Sequence, residues 1–291
     1  CGTSSRSAKL VHGGLRYLKN GQIRTMLHSI SEREKILRCY SRIVKPIPFL
    51  VPVDSFGFRL MLKAGLSIYD LAAGRLSHRY YDQEAFSMLI PSMERALENG
   101  GYSFLDAITD DAQLVLQVID QGIEQGGTAI NYCEYERIVE SKGRIVGIVA
   151  RDKLSGQDIK IKAPLVINAT GIFSDRHHSK VGRAEKLRAL RGSHLIFPHW
   201  RFPVSQAISI IHPEDQRPLY ILPWNGHTLV GTTDIDHDQP LDREPAISPA
   251  EGDYMFRALN HWFSELELHS DDLVSTFSGI RAVVDNGESD P

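Results

Sequence analysis

Tyr102-Ser-Phe-Leu-Asp106, Ala107-Ile-Thr109 and Asp110-Asp-Ala-Gln-Leu-Val115 form one uninterrupted run. The extended apolar part predicts a strand. Leu114, Val115, Val118 and Ile119 then recur at helical spacing. Asp110 and Asp111 stand where side-chain oxygens cap free amides and where negative charge suits the helix dipole. That reading is simpler than a catalytic carboxylate pair. Gly126-Gly127 ends the helix. Thr128 to Cys133, Arg144 to Ala150 and Ile159 to Ile161 predict a small strand meander, with turns at Lys142-Gly143 and Ser155-Gly156. Leu165-Val-Ile-Asn-Ala169 predicts a further apolar strand running into Thr170-Gly171. Strand, helix, meander and strand in this order resemble part of a nucleotide-binding α/β domain with an inserted antiparallel meander. No G-x-G-x-x-G loop follows an initial strand, so the domain is expected to be partial.

Working outward, Ile23, Met26, Leu27, Ile30, Ile36 and Leu37 predict a long helix from about Gly21 to Tyr40, with Arg24, Glu32, Arg33 and Glu34 facing water. Pro46 and Pro48 are expected to stop regular structure before a strand at Phe49-Leu-Val51. Phe58 to Ala73 reads as a second apolar helix. Beyond Gly192, the segments His194 to Phe197, Ala207 to Ile211, Leu219 to Leu222 and Thr228 to Val230 predict a mixed or antiparallel sheet. Ser248-Pro249 opens a final helix covering parts of Ala250 to Phe263.

With 291 residues, 42% of them apolar, the chain can bury a substantial core as one large or two modest domains. Its 33 basic and 36 acidic residues nearly balance, which argues against a general nucleic-acid binder. Cys1, Cys39 and Cys133 show neither a disulfide framework nor metal-ligand spacing, and Cys39 and Cys133 read as packed thiols in a reducing compartment. No stretch has the 18 or more nearly uncharged apolar residues of a spanning helix, and no signal-like start is visible. Cys1 lies inside what reads as functional sequence, as expected of an excised fragment.

Several constellations carry chemistry. Ser4-Ser-Arg-Ser-Ala-Lys9 precedes His12-Gly-Gly-Leu-Arg16-Tyr17. Paired glycines permit close backbone approach to a planar or phosphorylated ligand, Lys9 supports negative charge, and Arg16 offers a fork of donors to phosphate or carboxylate. His12 can move a proton or orient a cofactor; a plain surface turn stays open as the alternative. Asn168-Ala-Thr-Gly171 at a strand end can set backbone beside a nucleotide or merely terminate a strand. His194, where an apolar strand begins, can take a hydroxyl proton; for it, as for Arg281, ordinary side-chain to backbone bonding stays open as the alternative. Arg281, after a tight turn at Ser278-Gly279, can hold an anion. Gly231-Thr-Thr-Asp234 with Asp236, His237 and Asp238 lacks any recognised metal-ligand spacing and reads as turn bonding, so no metal site is assigned.

The run from Ser4 to Leu18 closely resembles the segment after the dinucleotide loop of aerobic, FAD-dependent glycerol-3-phosphate dehydrogenases. The likeness continues in order through Asp110 to Val115, Asn168 to Gly171, Gly192 to Pro198, Pro223-Trp224, Gly231 to Asp234 and Ser278 to Arg281. It departs from the family where Ala282 replaces a common Pro and Phe173 replaces a usual Trp.

The resemblance implies an α/β fold, with a partial FAD-binding Rossmann-like domain (1–18 and 100–180) interwoven with an α+β substrate-binding domain (19–99 and 181–291, incomplete at its C-terminus) that contains a mixed or antiparallel sheet. It places Ser4, Ser5, Lys9, Leu10, His12, Gly13, Gly14, Asn168, Ala169, Thr170 and Gly171 beside FAD. It gives Arg281, His194, Arg16 and His12 to the catalytic face, with His194 the preferred proton acceptor and His12 the alternative. The implied reaction oxidises sn-glycerol 3-phosphate to dihydroxyacetone phosphate, passing electrons through FAD to quinone, or to oxygen as in related oxidases. A cytoplasmic enzyme touching the inner face of the cytoplasmic membrane peripherally is implied as well. An FAD-dependent oxidase of another small hydroxyacid or amine, and an inactive structural or interaction fragment, remain as alternatives. Oligomeric state is not legible.

Overall fold

The structure, a computed structural model, describes residues 2–15, 17, 21–93, 99–175 and 187–285. The chain divides into two compact units, Cys1–Leu114 with Leu190–Ile280, and Val115–Ala189 with Arg281–Pro291.

The first unit is built on a ten-stranded sheet. Its main path runs β1 (Leu10–Val11), β4 (Gly101–Thr109), β2 (Val44–Pro52), β9 (Ala207–Ile211), β10 (Pro218–Trp224), β11 (His227–Gly231), β8 (Leu187–Pro198) and β12 (Ile235–Asp236). Two more strands lie off this path: β3 (Arg79–Tyr81) on β4 and β13 (Ser275–Val284) on β8. β2 and β9 run parallel, whereas β2 with β4, β9 with β10, β10 with β11 and β11 with β8 are antiparallel. The sheet is therefore mixed, as the sequence predicts.

Strand side chains alternate between faces, and here both faces are covered. Leu50, Leu195, Phe197, Ile208, Leu219 and Ile221 pack with Met255, Ala258 and Leu259 of helix α5 (Pro249–Trp262). Their neighbours Phe49, Val51, Tyr102, Phe104 and Leu222 pack on the opposite face with Met26 and Ile30 of α1 (Ile23–Cys39) and Leu62, Leu66 and Tyr69 of α2 (Phe56–Ala73). A short α3 (Gln83–Leu89) adds Phe86 to the α5 side. Helix α5 starts on a full capping box, with Ser248 and Glu251 each satisfying the other's amide and Pro249 in the first turn.

The second unit holds most of α4 (Asp111–Glu124) and a separate antiparallel meander of β5 (Cys133–Ser141), β6 (Arg144–Asp152) and β7 (Asp158–Lys162). Among the described residues no helix is long and apolar enough to cross a membrane.

Local expectations are corrected at several points. Pro46 and Pro48 lie inside β2, because β9 joins that strand only at Phe49 and Leu50, so the missing amides fall where no second ladder needs them. The meander's first strand starts at Cys133 instead of covering Thr128 to Cys133. Leu165 to Ala169 forms no strand: no described strand pairs with it, and Leu165 and Ile167 are exposed. Cys39 is exposed on the last turn of α1 and is not a packed thiol. Arg33 does not face water; it is 1% exposed, held by an acidic partner from a distant strand.

Candidate functional site

The loop from Thr3 to Gly14 is fastened along its length. Thr3 Oγ1 donates to the Ile280 carbonyl and Arg6 Nη1 to the Ser278 carbonyl at 3.4 Å, so the loop start lies against β13. Contact there is close, since a Cβ on Gly279 would sit 2.7 Å from the Arg6 carbonyl oxygen. Ser5 accepts from Lys9 Nζ through its carbonyl at 3.0 Å, while Ser4 is exposed.

Lys9 is nearly buried and adopts a positive φ of 60°. A buried ammonium needs a counter-charge, and Asp111 supplies it at 2.7 Å. The same carboxylate accepts from the Ser7 hydroxyl at 2.7 Å and the Ser7 amide at 3.1 Å. Burial by itself raises the Asp111 carboxyl, but the bonds from Lys9 and Ser7 outweigh it and hold the group below the usual carboxylate range. Asp110 caps α4 through the Gln113 amide, as the sequence predicts. Asp111 instead anchors the loop, a role that sequence spacing does not reveal.

From this anchor Lys9 Nζ lies over the rings of Trp224 and Phe277, 5.5 and 5.3 Å from their centroids. Phe277 stacks in turn on His194, with centroids 4.5 Å apart and planes 11° apart. Residues separated by most of the chain thus meet in one cluster. His194 is 2% exposed and sits well inside β8, not at its beginning. Gly231 opposes it across the ladder, and a Cβ there would come within 2.3 Å of the imidazole.

Glu251 gathers several elements around it. It accepts from Arg191 at 2.8 Å, Ser193 Oγ at 2.7 Å, Thr233 Oγ1 at 2.8 Å and the Ser248 amide at 2.8 Å. Ser193 Oγ also meets Ser278 Oγ at 2.8 Å. Among the described residues no group of three or more His, Cys, Asp or Glu side chains is placed to hold a metal.

Leu10, His12 and Gly14 border a cavity of about 530 Å³ walled by the α2 side chains Phe58, Met61 and Leu62 and by the sheet residues Phe49, Phe104 and Tyr220. Its described lining holds one carboxylate, Asp106, and neither lysine nor arginine. Such a cavity suits an uncharged aromatic ring better than a phosphate ester. Gly13, just behind it, has no room for a side chain: an added Cβ would stand 2.2 Å from Tyr69 Oη and 2.7 Å from an Ile30 carbon. Gly13→Ala is expected to lower stability by about 1–3 kcal/mol through overpacking. Denaturant unfolding of the variant checks this, and an unchanged midpoint refutes it.

In the second unit, Asn168 Oδ1 accepts from Thr170 Oγ1 at 2.7 Å and the Thr170 amide at 3.2 Å, folding Asn168-Ala-Thr-Gly171 into a tight turn. Gly171 has a φ of 58° and open space around it, as a turn that admits a ligand requires. Arg281 is half-buried within β13, so the tight turn expected at Ser278-Gly279 is a continuous strand. Arg16 lies outside the described residues.

Comparison with known proteins gives one consistent result. The sequence profile described as FAD dependent oxidoreductase matches residues 1–291. The chain is similar to the aerobic glycerol-3-phosphate dehydrogenase of Bacillus subtilis, 33% identical over 300 residues, covering 100% of this chain and 53% of that protein. It is likewise similar to the alpha-glycerophosphate oxidase of Streptococcus pyogenes serotype M1, 34% identical over 303 residues, covering 99% of this chain and 49% of that one. The chain therefore spans about half the length of the curated relatives it matches. Among solved structures, the glycerol-3-phosphate dehydrogenase from Bacillus halodurans complexed with FAD superposes with a TM-score of 0.79 at 27% identity, over 99% of this chain and 51% of that one. L-proline dehydrogenase from P. horikoshii, at 16% identity and a TM-score of 0.68 over 97% of this chain and 70% of that one, shares the fold alone.

Proposed function

Because the chain belongs to the family of FAD-dependent oxidoreductases, we propose that the complete protein oxidises sn-glycerol 3-phosphate to dihydroxyacetone phosphate, with quinone as the final electron acceptor. The observation that carries this reading is the meeting of Lys9, Trp224, Phe277 and His194, which joins the first loop to three late segments. Relatives named for oxidation of this substrate support it.

The residues fit the cofactor. A flavin ring is mostly apolar, as is the cavity bordered by Leu10, His12 and Gly14. Ser4, Ser5, Lys9 and Gly13 would complete this side of the site; the Asn168 to Gly171 turn of the second unit is assigned to FAD by the family resemblance alone. When bound, FAD supplies the two-electron chemistry. By role, 1–18 and 100–180 are assigned to the flavin and 19–99 with 181–291 to the substrate, a division that cuts across the two compact units.

Arg281 and Arg16 are assigned to the substrate anion, because a guanidinium presents paired donors to phosphate. The C2 hydroxyl proton goes to His12 or His194. Burial of His194 at 2% exposure leaves His12, half-buried at the cavity rim, with the easier access.

Adding glycerol 3-phosphate without oxygen to the complete, flavin-loaded protein is expected to bleach the flavin absorbance, and quinone or oxygen to restore it at rates that rank the two acceptors. A folded, flavin-loaded protein that does not bleach rejects the reaction.

A further inference from the structure

Gly13 N–H is shared between two buried acceptors, Tyr69 Oη at 2.9 Å and Asp106 Oδ1 at 2.9 Å. One acceptor would satisfy the amide. The two are themselves joined, with Tyr69 Oη donating to Asp106 Oδ1 at 3.0 Å. Arg33 Nη1 donates to both, at 2.5 Å to Tyr69 and 2.7 Å to Asp106. The other edge of the guanidinium meets Glu34 at 2.7 and 3.1 Å, and Nη1 also reaches the Leu105 carbonyl at 3.3 Å. Arg33, Tyr69 and Asp106 are 1%, 0% and 3% exposed.

A buried ion pair is a weak source of stability, since losing water offsets most of the attraction and an apolar replacement often does as well. Its placement is more informative. Arg33 comes from α1, Tyr69 from α2 and Asp106 from β4, and all three converge on the single amide that follows His12. Asp106 also borders the cavity that His12 and Gly14 line. The contact is specific to glycine, because any Cβ at position 13 would strike the Tyr69 hydroxyl.

We propose that Asp106 and Tyr69, clamped together by Arg33, are positioning residues that lock the backbone of His12, Gly13 and Gly14 at the rim of the flavin site. The inference rests on the flavin reading above and adds three residues that act through the loop backbone, one of which, Asp106, also borders the cavity. The latch registers the packing of both helices against the sheet and transmits it to the loop through a forked hydrogen bond.

Two altered forms of the complete protein test it. Tyr69→Phe removes only the hydroxyl and keeps the edge contact with Phe104 and the cation over the ring. Arg33→Met with Asp106→Leu removes both charges together, which preserves folding better than removing one. In each, FAD is expected to bind roughly tenfold more weakly, as for the loss of a hydrogen bond to a buried group. Amide exchange at residues 10–15 of the FAD-free protein is expected to quicken, and the visible circular dichroism of bound flavin to change. If both forms keep the parent's FAD Kd and its exchange rates at residues 10–15, the latch is core packing only and the proposal falls. If the unaltered complete protein takes up no FAD, the cofactor reading falls and the proposal with it.

Discussion

Replacing Arg281 by alanine in the complete protein is expected to reduce kcat/KM for glycerol 3-phosphate by roughly 10²–10³-fold, the usual effect of deleting a donor aimed at developing charge. The side chain is half-buried on β13, not after a tight turn. Its strand is held by the first loop, through Thr3 on Ile280 and Arg6 on Ser278. Arg281→Lys keeps the charge but not the fork, so partial recovery is expected. If Arg281 grips substrate and transition state alike, KM rises with kcat unchanged. If it acts mainly on charge developed during reaction, kcat falls. Steady-state kinetics equal to those of the unaltered protein would remove Arg281 from the site.

Glu251→Ala is expected to have the largest effect on stability. It would leave Arg191 buried without its carboxylate and strip acceptors from Ser193, Thr233 and the Ser248 amide. Breaking a buried pair on one side costs about 3–5 kcal/mol. Burial by itself would raise the Glu251 carboxyl, but the bonds from Arg191, the Ser248 amide, Ser193 and Thr233 prevail and hold it at about 2, against an ordinary 4.5. A carboxyl lowered by folding adds stability above its unfolded value and loses that contribution as pH falls toward its folded value. The stability difference between the unaltered protein and Glu251→Gln is therefore expected to be full near neutral pH and to shrink from about pH 4.5 downward. Denaturant unfolding across that range reads it directly; a difference independent of pH contradicts the assignment.

Much of the fold was legible because periodicity reports local geometry. The α1, α2, α4 and α5 helices and the β8 to β11 strands follow from apolar spacing, and the α5 start follows from Ser248-Pro249. The ordered landmarks from Ser4 to Arg281 pointed to the flavoprotein family found by comparison. Misreadings occurred where a residue's environment is set by another segment. Leu165 to Ala169 has the composition of a strand but no described partner, and Pro46 and Pro48 are tolerated because, among the described residues, one side of β2 is unpaired there.

By itself the sequence determined the long helices, the central strands and the family, since each is written in short-range spacing or in an ordered set of motifs. Only the tertiary structure decided which charges are buried and what they hold. Arg33 looks like any solvated helix arginine, and Asp106 like an interruption in an apolar strand, until folding brings together these two residues that stand 73 positions apart in the sequence. Likewise, Lys9 meets Phe277 and Trp224 only when the first loop lies against β13. The physical reason is that burying a charge is tolerable only with a partner in place, and local spacing carries no record of a partner drawn from a distant segment.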